Sequence, residues 1–155
     1  MFVVLGATGN TGSVVVETLL SKKQPVRVIV RSADKGAGWK AKGADVAVAS
    51  LDDVPALTKA LEGAKGVYLL VPPNYGAEAW LADQRARMDR AAEAVQKSGV
   101  EHVVLLSSAG GHLHGGTGPI RAASYGEQAL GCIAKRLTIL RPSYFMDNWA
   151  PVIGA

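Results

Sequence analysis

Residues 2 to 12 read Phe2-Val3-Val4-Leu5-Gly6-Ala7-Thr8-Gly9-Asn10-Thr11-Gly12, and the fold follows from how this stretch changes character along its length. Phe2 to Leu5 is a short apolar run of strand length. Thr11 to Lys22 then places Val15, Val16, Leu19 and Leu20 at helical spacing. Three glycines, Gly6, Gly9 and Gly12, sit between the two. Glycine there lets the backbone come close to an anion that side chains would keep away, and the first N–H groups of the helix, with its dipole, hold that anion. A glycine-rich turn is weak evidence alone. Between a buried strand and a helix it reads as a dinucleotide pyrophosphate cradle, with Thr8, Asn10 and Thr11 adding hydrogen bonds to phosphate or organising the loop. The alternative is a structural turn with no ligand.

Outward from this loop the chain alternates. Val26 to Val30 is a second β-branched run, residues 33 to 42 a short polar helix or irregular turn, and Asp45 to Val48 a third strand. Asp52 or Asp53 caps the next helix, Pro55 fits its first turn, Val54, Leu57 and Leu61 share one face, and Gly63 ends it. Val67 to Val71 is a fourth strand. Residues 77 to 98 form the longest helix, with Leu81, Met88, Ala92 and Val95 on one side. Asp83 with Arg87 and Arg85 with Asp89 are i,i+4 pairs on a solvated face. Gly99 stops this helix, His102 to Leu106 is a fifth strand, residues 120 to 135 a further helix, and Leu137 to Leu140 a sixth strand. Strict alternation predicts an α/β fold: a doubly wound, parallel, six-stranded sheet in the order 3-2-1-4-5-6, covered by helices on both faces. The length suits a single domain over residues 1–155, with no internal repeat or linker.

The end of the second strand addresses the cofactor type. About twenty residues after such a loop, an NAD-binding fold carries an acidic residue for the ribose hydroxyls. Here the sequence is Val30-Arg31-Ser32. A guanidinium makes two charge-assisted hydrogen bonds to a 2′-phosphate, and Ser32 and Lys35 stand close enough in sequence to assist. The reading is NADP(H) over NAD(H); a solvated strand-end charge is the alternative. By position, Leu51 and Asp52 after the third strand neighbour the adenine, and Val71 and Pro72 after the fourth run beside the ribose.

Composition excludes several classes. Apolar residues make up 48% of the chain and charged ones 19%, the balance of a globular protein. No apolar run reaches the length of a membrane span, and no basic leader precedes Phe2, so a cytoplasmic protein with no membrane partner is expected. The single Cys132 reads as a buried thiol in a reducing compartment. The net charge of +4 does not interleave with aromatics, which speaks against nucleic acid. It concentrates in residues 1 to 42, where Lys22, Lys23, Arg27, Arg31, Lys35, Lys40 and Lys42 face only Glu17 and Asp34. A positive field there suits a phosphorylated small ligand.

Five segments carry a family resemblance: GATGNTG at 6 to 12, VRVIVRSADK at 26 to 35, YLLVPPN at 68 to 74, VVLLSSAG at 103 to 110 and LTILRPSYFMDNW at 137 to 149. In this order they resemble the NmrA-like branch of the atypical short-chain dehydrogenase/reductases, which includes NAD(P)H:quinone oxidoreductases of the second type and redox-sensing regulators. The resemblance implies a Rossmann fold. It implies cofactor contacts at Gly6, Thr8, Gly9, Asn10, Thr11 and Arg31, with Pro72 in the nicotinamide-side loop. It further implies hydride transfer from NADPH to a small electrophile such as a quinone, or a non-enzymatic NADP-dependent sensor.

Two features depart from the family pattern. Ordinary short-chain dehydrogenases place a tyrosine four residues before a lysine; Tyr125 is followed at that distance by Ala129. Tyr125 remains the one candidate general acid, while Ser107 or Ser108 is a candidate donor to a carbonyl. The chain also resembles a shortened member, since the family continues well past Trp149. Tyr144, Phe145, Met146 and Trp149 would then form an apolar patch, covered by a second copy in a homodimer or by further polypeptide. His112 and His114, two apart in a glycine-rich loop, read as a mobile pocket edge, and no metal is expected.

Overall fold

The computed structural model describes residues 1–113 and 115–149. Its elements run β1 (Phe2–Leu5), α1 (Asn10–Ser21), β2 (Val26–Val30), α2 (Ala33–Ala41), β3 (Asp45–Val48), α3 (Val54–Leu61), β4 (Gly66–Leu69), α4 (Trp80–Ser98), β5 (His102–Leu106), α5 (Ile120–Gly131) and β6 (Arg136–Leu140), then a 3₁₀ turn at Met146–Trp149. All six strands are parallel, in the order β3-β2-β1-β4-β5-β6. This is the predicted doubly wound sheet. The order reverses between β1 and β4, where the crossovers leave in opposite directions and open a crevice at the strands' carboxyl ends.

The two central strands, β1 and β4, are apolar because both of their faces are covered. One face carries Val3, Leu5, Ile29, Val67, Leu69, Val103 and Leu105 against α3, α4 and α5. The other carries Val4, Val28, Val30 and Tyr68 against Val16 of α1 and Trp39 of α2. Cover thins toward β6. Leu106 and Leu140 are register partners, yet Leu106 is half-buried while Leu140 remains 42% exposed, on the same open side of β6 as the exposed Arg136 and Thr138.

Boundaries differ from expectation where a turn decides them. The residues after Gly76 form a turn, so α4 opens only at Trp80; its end at Gly99, φ +68°, is as expected. Residues 33 to 41 are a helix, and β4 ends at Leu69, leaving Val71 in the loop beyond it. Because α5 stops at Gly131, Cys132 lies in the turn after it and is exposed, which corrects the reading of a buried thiol. The expected Asp83–Arg87 and Arg85–Asp89 pairs do not form, although Glu93 and Lys97 of the same helix pair at 2.6 Å. Asp83 accepts from Asn74, Arg87 donates to the Pro72 carbonyl at 2.7 Å, Arg85 lies over the Tyr125 ring, and Asp89 accepts from Tyr125 at 2.6 Å. Neighbouring elements offer these side chains partners that the isolated helix lacks. Among the described residues no helix is long and apolar enough to cross a membrane.

The uneven cover of the sheet has a measurable consequence. Leu105 is 2% exposed between two strands and the helices above them, so Leu105→Ala should destabilise the fold by about 2–5 kcal/mol. Leu140→Ala, on the open side of β6, should change stability by no more than about 0.5 kcal/mol. Urea unfolding of both variants checks this, and equal losses would contradict it.

Candidate functional site

At the carboxyl end of β1 the chain turns on Gly6, whose φ of +69° suits glycine. The Gly9 N–H closes the turn on the Gly6 carbonyl at 2.9 Å. The tightest approach belongs to Gly12, where a Cβ would lie 2.2 Å from the Gly6 carbonyl oxygen. No side chain caps α1 and its first turn holds no acidic residue. Its opening N–H groups therefore face outward, as anion binding requires.

The loop forms one wall of a cleft of about 1410 Å³ that crosses the ends of β1, β2, β4 and β5, large enough for an extended ligand. Of the predicted cofactor residues, Gly6, Thr8, Gly9, Asn10, Thr11, Arg31, Leu51, Asp52, Val71 and Pro72 all line it. Lys35 joins Arg31 on the β2 side, and neither is ion-paired to a carboxylate among the described residues. Ser32 does not line the cleft. It starts α2, where its hydroxyl bonds the Asp34 carboxyl and is the largest influence holding that group below its usual carboxylate range. Asp52 pairs with Arg90 at 2.7 Å, and Asp53 caps α3 by accepting the Ala56 N–H.

Tyr125 lies elsewhere. It packs against the α3–α4–α5 core, its hydroxyl donates to Asp89, and Arg85 sits 5.1 Å from its ring centre. The bond to Asp89 favours the protonated phenol and, with burial, raises its pKa. The geometry ties α5 to α4, and Tyr125 does not line the cleft. Ser107 and Ser108 do line the cleft. His112 is found beside a separate small cavity and His114 lies outside the described residues. No group of three or more His, Cys, Asp or Glu stands ready for a metal among the described residues.

Several cleft residues escaped the sequence reading. Tyr75, on the loop after β4, and Trp80, the first residue of α4, stack with ring centres 6.1 Å apart and planes 6° from parallel. From the far edge, Phe145, Asp147 and Asn148 arch back over the cleft, and Asp147 accepts a bond from Asn10 at 3.1 Å. Tyr144, Met146 and Trp149 are exposed, with Tyr144 edge-on to Trp149. Beneath Ser107, Glu127 is 8% exposed and accepts two bonds from Arg141, at 2.9 and 2.6 Å. Arg141 is the largest influence holding the Glu127 carboxyl below its usual range. A lone Glu and a lone Arg fourteen residues apart carry no signal in the sequence that they meet.

The pattern of a family described as NAD(P)H-binding matches residues 6–151. The chain is 28% identical to an NAD(P)H azoreductase of Xenophilus azovorans over 148 residues, which is 96% of this chain and 49% of that protein. It is 29% identical to quinone oxidoreductase 2 of Escherichia coli, covering 96% of this chain and 50% of that one. The chain thus spans about half the length of the curated relatives it matches. Among solved structures, a triphenylmethane reductase of Citrobacter complexed with NADP(H) superimposes with a TM-score of 0.84 at 21% identity, over 96% of this chain and 51% of the other. An NADPH-dependent quinone oxidoreductase of Escherichia coli complexed with NADPH superimposes at 0.83 and 24% identity, over 99% and 53%. These likenesses agree with the fold described above, and the chain belongs to the NAD(P)H-binding family.

The lowered Glu127 pKa fixes the sign of a pH effect. A carboxyl whose pKa is depressed on folding contributes stability above its unfolded value, and that contribution is lost as pH falls through the folded value. Between pH 6 and 3 the wild type should therefore lose more urea-unfolding free energy than Glu127→Gln, which has no such proton to take up. Parallel losses would show that Arg141 does not hold the carboxylate.

Proposed function

We propose that the cleft takes NADP(H) in preference to NAD(H), and that the protein is an oxidoreductase acting on a small planar electrophile such as a quinone. The observation that carries the cofactor preference is the position of Arg31 and Lys35. Both line the cleft, Arg31 directly after β2 and Lys35 in the first turn of α2, and neither forms a salt bridge among the described residues, where an NAD-binding fold sets a carboxylate. The Gly12 approach supports dinucleotide binding, because it brings α1's N-terminus up to the loop with no side chain in the way. When bound, the reduced nicotinamide supplies the hydride. The chain's own residues bind and orient: the loop N–H groups take the pyrophosphate, Arg31 the 2′-phosphate, and the Tyr75–Trp80 stack offers a flat wall to an aromatic acceptor. A quinone needs little acid assistance, which suits a cleft from which Tyr125 is turned away. The azoreductase and quinone oxidoreductase relatives point to the same class.

The second reading, an NADP-dependent sensor, draws on that same displacement of Tyr125. We place the protein in the cytoplasm, where one exposed cysteine with no second thiol in the chain stays reduced. We also place a homodimer contact on the exposed Tyr144, Met146 and Trp149. Analytical ultracentrifugation should show a dimer that Met146→Asp weakens; a monomer at all concentrations would remove that contact.

Fluorescence titration with NADPH and NADH tests the cofactor assignment. The wild type should bind NADPH at least tenfold more tightly, and Arg31→Glu should erase the difference, as expected when a charge-assisted phosphate contact worth about 1.5–3 kcal/mol is lost. An unchanged preference would make Arg31 a solvated charge. Steady-state assays with NADPH and several quinones separate the two functions, since saturable binding without turnover decides for the sensor.

A further inference from the structure

The buried charge next to the cleft belongs to none of the roles above. Glu127 of α5 is enclosed by the ends of β5 and β6 and by the loop after β5. Its carboxylate receives Nε and Nη2 of Arg141 and the hydroxyl of Ser107. Gly111 closes over the group: a Cβ there would lie 2.4 Å from Glu127 Oε1 and 2.7 Å from Ser107 Oγ. A cavity of about 300 Å³ beside it is lined by His112, Ser124, Ile139 and Arg141. Ser107 is the residue between the two spaces, bonded to Glu127 on one side and lining the large cleft on the other.

The direction of the serine proton follows from valence. A carboxylate held by two guanidinium bonds has no proton to give, so the hydrogen in the Ser107–Glu127 contact is the serine's own. The Ser107 oxygen is left with lone pairs only. We infer that Glu127 is a positioning residue that fixes Ser107 as a hydrogen-bond acceptor on the cleft wall, where it receives an N–H donor of the bound ligand. On the dinucleotide reading of the cleft, from which this inference proceeds, that donor is the carboxamide N–H of the nicotinamide. Ser107 is then excluded as a donor to a substrate carbonyl, the role its sequence position suggested. Ser108 is the neighbouring hydroxyl on the wall still able to give a proton, as its bond to the Ala109 carbonyl at 3.3 Å is exposed and long.

The test compares two ligands that differ at the donor: NADP⁺ and its 3-acetylpyridine analogue, which has a methyl ketone in place of the carboxamide. Isothermal titration calorimetry of the wild type should show the carboxamide form binding about two- to tenfold more tightly, the range of one hydrogen bond. Ser107→Ala should bring that ratio close to one. Glu127→Gln should reduce it, because an amide can face Ser107 with either a donor or an acceptor. Glu127→Asp keeps a charge for Arg141 but draws the carboxylate back by one methylene, and should reduce it as well. Thermal melts followed by circular dichroism identify folded variants, and Glu127→Asp decides if Glu127→Gln does not fold. A packing role alone would weaken both ligands together and leave the ratio unchanged. A wild-type ratio of one, or a ratio that survives Ser107→Ala or both Glu127 variants, overturns the inference. A wild type that binds neither ligand removes the dinucleotide reading and the inference together.

Discussion

The contact between Gly12 and the Gly6 carbonyl governs the geometry of the cleft. With 2.2 Å available where a Cβ would stand, the first turn of α1 can rest on the end of β1 only because nothing projects from Gly12. That rest brings α1's unpaired N–H groups to the crevice between β1 and β4, where the sheet order reverses. A side chain there would force the helix away from the strand and carry the anion-binding end with it. Leu70 fits the same geometry from the other side: its side chain lies where a Cβ at Gly6 would stand.

Charge then differentiates the two ends of the cleft. At the β2 end, Arg31 and Lys35 are exposed and form no salt bridge among the described residues. At the β5–β6 end, Arg141 is committed to a buried glutamate. Arg141 keeps 41% of its side chain exposed while Glu127 is buried, so the carboxylate, shut away from water, depends on the guanidinium and the serine for its hydrogen bonds. Glu127 and Arg141 are therefore held to one arrangement, and that arrangement sets which way the Ser107 hydroxyl points. On the proposed function, the first end recruits an anion from outside, and the second, with Arg141 committed to Glu127, works through hydrogen-bond direction.

Much of this was legible in the chain. Runs such as Phe2 to Leu5, apolar on both faces, read as parallel strands because a sheet with helices on both sides demands them. Gly63 and Gly99 marked helix ends through their left-handed backbone, and Asp53 was one of two candidates for its cap. Charged and polar side chains were less legible. The i,i+4 spacing of Asp83 with Arg87 and of Arg85 with Asp89 predicts pairs along a helix, yet Pro72, Asn74 and Tyr125 compete for the same groups once other elements arrive. Ser32 follows Arg31 in sequence but stands at the N-terminus of α2 outside the cleft lining, and Cys132 follows an apolar helix but falls past its end.

The sequence by itself determined the strand–helix alternation, the sheet order and the anion-binding loop, because these depend on local periodicity and on glycine's lack of a side chain, which are properties of neighbouring residues. Only the tertiary structure decided that Tyr125 of α5 bonds to α4 and does not line the cleft, that Phe145, Asp147 and Asn148 return over the loop, and that Glu127 meets Arg141 beneath Ser107. Those meetings join residues distant in the chain. A polar side chain has many possible partners of similar energy, and which it takes is settled by the packing that brings one of them within reach.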